Sequence, residues 1–282
     1  MLLVNDVTKT YGKKRALDGV SLDFPDGVHA LLAPNGAGKS TLIKLLATLI
    51  KPTGGEILYD GVNIADLGAD YRDLIGYLPQ DFGFYPSYTA RRFLRYIAVL
   101  KGLDHRRIDA RIDEILTLVA LSDVANKKLK TFSGGMLQRI GIAQAMLNDP
   151  RILILDEPTA GLDPKERARF RNLVARIARD RIVILSTHIV SDIETIADWV
   201  VLLREGEVVT RDRPEAIRGS LDGRVFETPT LALLRNSDLL VAERRENDTT
   251  VYRFVSGGQG AAGVAVPPNL EDVFLATFRD AS

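Results

Sequence analysis

The chain has 282 residues, 46% of them apolar, and 37 Lys+Arg balance 37 Asp+Glu, so it has room for one large domain with an appendage or for two, and no global charge draws it to nucleic acid or an anionic membrane. It has no cysteine, which excludes disulfides and thiolate metal sites and fits a reducing compartment, and His29, His105 and His188 are too scattered to suggest a zinc site. No N-terminal segment resembles a signal peptide, and runs such as Trp199-Val200-Val201-Leu202-Leu203 fall far short of a membrane span, so the chain is expected to be soluble.

Residues 1–27 hold two β-like runs, Leu2-Leu3-Val4 and Val20-Ser21-Leu22-Asp23-Phe24, around the polar stretch Lys9 to Lys14. Two or three opening strands are expected. Tyr11 stands in a glycine-containing turn, as a surface cap or as a platform for an adenine base. The run Val28 to Leu32 reads as a buried strand and Leu42 to Ala47 as a helix. Between them, Ala33-Pro34-Asn35-Gly36-Ala37-Gly38-Lys39-Ser40-Thr41 has the pattern of a phosphate-binding loop. Inward-facing backbone N–H groups and a helix N-terminus there hold an oxyanion. Gly36 and Gly38 are expected to sit where close approach leaves no room for a side chain. Lys39 reaches the β- and γ-phosphates, and the Ser40 hydroxyl ligates a Mg²⁺ that bridges them. The motif ordinarily opens on Gly; the methyl of Ala33 is expected to resist a positive φ and to tighten the turn.

Pro52 to Gly55 is a turn and Glu56 to Tyr59 a short strand. Ile75 to Leu78 is another strand, closed by Pro79, which leaves Gln80 at a strand end, where site residues of α/β sheets gather. Asp81 to Pro86 carries three aromatics and is either a docking surface or a locally buried loop. From Thr89 to Lys130 the pattern turns helical, with Ile108, Ile112, Ile115, Leu116 and Val119 in one apolar stripe. Ser133 reads as an N-cap before Gly134 and Gly135, a second potential phosphate site. Ile152 to Leu155 is a buried strand ending on Asp156 and Glu157. Two acids there need partners. Mg²⁺ suits Asp156, and Glu157 would orient or deprotonate a water attacking a γ-phosphate; the alternative is a pair of helix-capping acids.

A tight turn, Ala160 to Pro164, leads into an amphipathic helix from Lys165 to Arg179. The buried strand Ile182 to Thr187 ends on His188, a structural histidine or a γ-phosphate contact. Ser191 to Ala197 is expected to be helical, and a hairpin turns at Glu205-Gly206. Beyond Gly219 no catalytic constellation follows. The β-like pieces Leu239 to Ala242 and Val251 to Val255 flank a polar turn at Asn247-Asp248. A Gly/Ala-rich stretch from Gly257 to Gly263 precedes a short helix with Leu270, Val273, Phe274 and Phe278 on one side.

Five elements in this order, Ala33 to Thr41 (Walker A), Gln80 (Q-loop), Phe132 to Met136 (signature), Ile152 to Glu157 (Walker B) and His188 (H-loop), resemble the nucleotide-binding domain of ATP-binding cassette (ABC) proteins. The signature ordinarily ends in Gln, where this chain has Met136. The resemblance implies an α/β fold: a P-loop NTPase cassette over residues 1–219, with a mixed β-sheet core, an antiparallel β-subdomain and a helical subdomain near residues 87–150. A small α+β extension, regulatory or dimer-contact, covers 220–282. It also implies ATP and Mg²⁺ as ligands. ATP would be held by Tyr11, Asn35, Gly36, Ala37, Gly38, Lys39, Ser40 and Thr41 and, in trans, by Ser133, Gly134 and Gly135 of a second cassette. Ser40, Gln80 and Asp156 would hold the metal, and Asp163 would link the two sites. Glu157, His188, Gln80 and Lys39 would carry catalysis, with Glu157 as the hydrolytic base.

The implied partners are a second copy or a paralogous cassette and a separate transmembrane permease, with no nucleic acid expected. The permease would meet the Phe82 to Tyr85 loop and hold the chain, in the cytoplasm, on the inner face of the membrane. The ending Asn269-Leu270-Glu271-Asp272-Val273-Phe274-Leu275 looks like a tail motif of exporter-type ATPases for antibiotics and daunorubicin-like drugs. One alternative is a soluble ABC ATPase of DNA repair or translation. With 93 residues between Lys39 and Ser133 (133 − 39 − 1) and no heptad run or second loop, the chain lacks what those usually show. The other is a cassette with little hydrolysis, supported only by Ala33 and Met136.

Overall fold

The computed structural model describes residues 1–246, 249–258 and 261–279; the turn expected at Asn247-Asp248 and part of the Gly/Ala-rich stretch lie outside them. The chain opens with β1 (Leu2–Tyr11) and β2 (Lys14–Phe24), an antiparallel pair far longer than the apolar runs alone indicate. Leu2, Val4, Val7, Leu17, Val20, Leu22 and Phe24 are buried. Irregular register steps, with Asp6 at φ 48°, absorb the polar residues between them. β4 (Gly54–Tyr59) pairs with β1, and β5 (Val62–Asn63) with β4, to give a four-stranded antiparallel sheet.

The central sheet has the order β10-β9-β3-β8-β7-β6, built from β3 (Gly27–Leu32), β6 (Ile75–Leu78), β7 (Ile152–Asp156), β8 (Ile182–Thr187), β9 (Trp199–Arg204) and β10 (Glu207–Asp212). Only β10 runs antiparallel. β7 and β8 are buried along their whole lengths, as strands covered on both faces must be. α1 (Lys39–Leu46) packs on β7 and β8. On β3, His29 is fully buried between the Phe24 ring, edge-on at 5.0 Å, and Trp199, stacked at 6.4 Å. The Arg211 and Arg213 guanidinium groups lie over the Trp199 ring at 4.2 and 5.1 Å.

The short helices α2 (Ile64–Leu67) and α3 (Ala69–Leu74) lead to β6. Next come α4 (Ala90–Leu100), α5 (Ile108–Leu118) and α6 (Gly134–Ala145). All five members of the expected stripe on α5 and just beyond it are buried, each side chain stabilising the packing by about 1.5–3 kcal/mol. α7 (Pro164–Ile177) starts on an Asp163 cap with proline in its first turn. The helix expected from Ser191 to Ala197 is shorter: α8 spans Val190–Ile193. Its continuation is lost because Asp198 is drawn back to β3, its carboxylate accepting from the Val28 N–H at 2.8 Å and its own N–H donating to the Val28 carbonyl.

After α9 (Pro214–Gly219), a third sheet has the order β12-β13-β11-β14, from β11 (Val225–Thr228), β12 (Leu239–Glu246), β13 (Thr249–Val255) and β14 (Val264–Ala265). α10 (Leu270–Thr277) opens with a capping box between Asn269 and Asp272. The fully buried Asp272 carboxylate accepts two hydrogen bonds from Arg253 of β13, at 2.8 and 2.6 Å. Leu270, Val273 and Phe278 are buried, and α10 lies against α8, α9 and the β12–β13 hairpin. No helix among the described residues is long and apolar enough to cross a membrane.

Candidate functional site

The turn from β3 into α1 forms one wall of a cavity of about 340 Å³. Ala33, at the place where Gly was expected to be needed, is fully buried and stays out of the positive-φ region. The strain expected of its methyl is therefore absent. Gly36 and Gly38 do adopt positive φ, 84° and 111°. They differ in surroundings: a Cβ on Gly38 would stand 2.8 Å from the Ala16 carbonyl oxygen and from a Leu17 methyl, whereas one on Gly36 would meet nothing within 4 Å. Close approach constrains Gly38 alone, and Gly36 is required for its dihedral. α1 has no side-chain cap and no acid in its first turn, so its N-terminal N–H groups remain free for an anion.

Lys39 is buried. Its ammonium donates to the Ala33 and Pro34 carbonyls and stands 3.8 Å from Glu157 Oε1. Burial lowers its pKa, against the opposing charges of Glu157 and Asp156. It is thus a desolvated cation held beside the loop, where an anionic ligand would restore its charge balance.

The acids that end β7 have the partners their burial demands. Asp156 Oδ1 accepts from the Ser186 hydroxyl at 2.7 Å, and that hydroxyl accepts the Glu157 N–H at 2.9 Å. Glu157 Oε2 is 3.0 Å from His188 Nδ1. Glu157 has φ 48°, a region costly for a non-glycine residue, which places its carboxylate between Lys39 and His188. Burial, then Asp156, pushes the Tyr77 phenol up to about 12.

Tyr11, Asn35, Gly36, Gly38, Lys39, Ser40 and Thr41 line the cavity, with Gln80, Glu157 and His188. Tyr11 ends β1, 47% exposed, with the Lys9 ammonium 5.2 Å from its ring. Ala37 and Asp156 are buried beside the cavity without lining it. Ser133, Gly134, Gly135 and Asp163 lie outside it. Ser133 caps α6 by accepting the Met136 N–H at 3.3 Å, and Asp163 caps α7 by accepting the Glu166 N–H at 2.9 Å. Glu166 in turn fills the space a side chain on Gly135 would need. Sequence reasoning missed Lys14, Ala16 and Ala160 on the cavity wall and Ser186 behind the acids. The one available signal for Ser186 was a hydroxyl pair, Ser186-Thr187, closing an otherwise apolar strand.

Among the described residues no cluster of three or more His, Cys, Asp or Glu could hold a metal unaided. The oxygen set of Ser40, Gln80 and Asp156 fits a hard cation completed by phosphate and water, as Mg²⁺ requires. Asp156 Oδ2 takes no hydrogen bond from a described residue.

A sequence profile described as ABC transporter matches residues 17–160. Over 257 residues the chain is 34% identical to the linearmycin resistance ATP-binding protein LnrL of Bacillus subtilis, covering 89% of this chain and 82% of that one. It is 33% identical over 290 residues to the Nod factor export ATP-binding protein I of Rhizobium etli, with coverages of 96% and 91%. A dimeric post-hydrolysis ATP-binding cassette bound to ADP and Pi superimposes with a TM-score of 0.67 and 29% identity, covering 76% of this chain and 98% of that one.

Proposed function

The chain belongs to the ABC transporter family as an ATP-binding subunit, and on that premise we propose that it powers export through a separate membrane permease. It binds ATP and hydrolyses it to ADP and phosphate. The observation that carries the reading of the site is the convergence, on one cavity, of the free α1 N-terminus, Lys39 and the Glu157–His188 pair. The loop N–H groups and Lys39 bind the phosphates, and Tyr11 stacks on the adenine. Glu157 takes the proton of the water that attacks the γ-phosphorus, while the bond to the β–γ bridging oxygen breaks and ADP leaves. His188 holds the γ-phosphate and orients Glu157. Ser40, Gln80 and Asp156 would hold Mg²⁺, which when bound neutralises charge on the β- and γ-phosphates.

Ser133, Gly134 and Gly135 do not line the cavity, which supports their use in trans, with Asp163 linking the two sites: two cassettes pair head to tail, and neither alone is complete. The second cassette is another copy or a paralogue. Tyr85 and Tyr96, edge-on at 5.5 Å, form with the exposed Val99 and Leu100 an apolar patch suited to a permease helix. That contact would hold the chain on the cytoplasmic face of the membrane. Residues 1–219 form the ATP-binding domain, with the helical part near 87–150, and 220–282 form an extension with a regulatory or dimer-contact role. Relatives named for export and resistance support the direction. The test is steady-state hydrolysis with Mg²⁺ over a range of protein concentrations. Turnover rising with concentration, and lowered at least about 100-fold in Glu157→Gln, is the expected result. Equal activity in both proteins rules out Glu157 as the base.

A further inference from the structure

We propose that Thr159 and Asp192 form a clamp that sets the Glu157–His188 geometry, acting as positioning residues for hydrolysis. This rests on the reading of Glu157 and His188 above. Thr159 follows Glu157 by two residues, and Asp192, on α8, follows His188 by four. Both are buried, at 1% and 2% exposure, and the Thr159 hydroxyl donates to Asp192 Oδ2 at 2.5 Å. The two segments that meet at the Glu157–His188 contact are thus tied a second time, just beyond it. The Ser186–Glu157 hydrogen bond ties them on the other side.

His188 needs such support. Its side chain is 49% exposed, and among the described residues its ring makes one hydrogen bond, the 3.0 Å contact to Glu157. Little packing fixes the ring, so its position falls to the backbone that carries it. That backbone has only a four-residue helix behind it, too short to be rigid through its own hydrogen bonds. The clamp supplies the missing constraint.

Asp192 is also an expensive residue for simple packing. Its Oδ1 is shielded from solvent and takes no hydrogen bond from a described residue, and the cation facing it, Arg171 of α7, is 3.7 Å away. A buried carboxylate with half its acceptor capacity unmet costs stability that an apolar side chain would not. What the carboxylate provides is a strong acceptor for Thr159 and a link to α7, whose first turn carries the Asp163 cap. The Thr159 turn, the His188 segment and the Asp163 helix thereby share one buried charge.

The test uses steady-state hydrolysis by the full chain, comparing Asp192→Ala, Thr159→Val and Thr159→Ser, each alone and combined with His188→Ala. Asp192→Ala and Thr159→Val are expected to lower kcat about tenfold with KM for ATP little changed, as loss of support behind a site residue does. Thr159→Ser keeps the hydroxyl and should retain kcat. In the His188→Ala background neither disruptive substitution should lower kcat further, because their effect passes through His188. The same fold loss with and without His188, or an undiminished kcat in both, overturns the clamp. Where Asp192→Ala does not fold, the Thr159→Val and Thr159→Ser pair decides alone. Should His188→Ala by itself leave kcat intact, the parent reading falls and takes the clamp with it; a clamp that fails beside an impaired His188→Ala leaves that reading standing.

Discussion

His29 makes the central sheet sensitive to acid. Burial pushes its imidazole from the ordinary 6.5 to about 4; the Arg211 charge adds to this, while the Pro25 carbonyl, at 2.8 Å, and the Asp198 and Asp23 carboxylates oppose it. The unfolded chain therefore takes up a proton near pH 6.5 that the folded chain refuses until about pH 4. More protons on the unfolded state means stability that rises with pH, so it is present above the unfolded pKa and lost as pH falls through the window from 6.5 to about 4. Evaluated for these two pKa values, the loss between pH 7.5 and 4.5 is about 2.5 kcal/mol. With a urea m-value of about 2.5 kcal/mol/M, the unfolding midpoint drops by about 1 M. The chain has one tryptophan, and it stacks on His29, so its fluorescence reads the sheet directly. His29→Gln keeps a donor near the Pro25 carbonyl without a titrating ring. Its midpoint should lose about 1 M less than the native chain between the two pH values. Equal losses in both chains refute His29 as the source.

Two other expectations follow from the geometry. Gly38→Ala and Gly36→Ala both place a methyl at positive φ, but only the first meets carbonyl oxygen and methyl at 2.8 Å. Calorimetric titration with ATP should show Gly38→Ala weakened tenfold or more, about 1.4 kcal/mol, and Gly36→Ala less; the reverse order contradicts the assignment. Arg253→Met leaves the fully buried Asp272 without its main cation and should destabilise α10 and its sheet by about 3–5 kcal/mol. Hydrogen exchange at residues 270–277 measures this, and the double change Arg253→Met with Asp272→Leu should recover much of it; unchanged protection in the single variant speaks against the pair.

The parts of the molecule governed by near neighbours were legible in the sequence. The loop from Ala33 to Thr41, the strand ending on Asp156 and Glu157 and the stripe from Ile108 to Val119 are each written within a few residues. What depends on distant partners was not. The backbone relaxes around Ala33 without left-handed geometry, and the freedom around Gly36 depends on the absence of a neighbour that Gly38 has in β2. α8 stops early because Asp198 is claimed by Val28, 170 residues away. Ser186 serves both acids only once β8 lies beside β7. The polar residues Lys9 to Tyr11 extend as strand because their partner, which starts at Lys14 after the Gly12-Lys13 turn, is adjacent in the chain, a pairing that propensity alone undervalues.

The seat of α10 against α8 has a consequence in time. Leu270 follows Ile193 by 77 positions (270 − 193), so at about 5–20 residues per second the ribosome needs about 4–15 s between completing one helix and starting the other. Throughout that interval the segment bearing His188 lacks one of the elements that cover it in the finished fold. Synthesis order thus separates the making of the phosphate loop from the packing laid down behind the His188 segment, and a nascent chain carries the first well before the second.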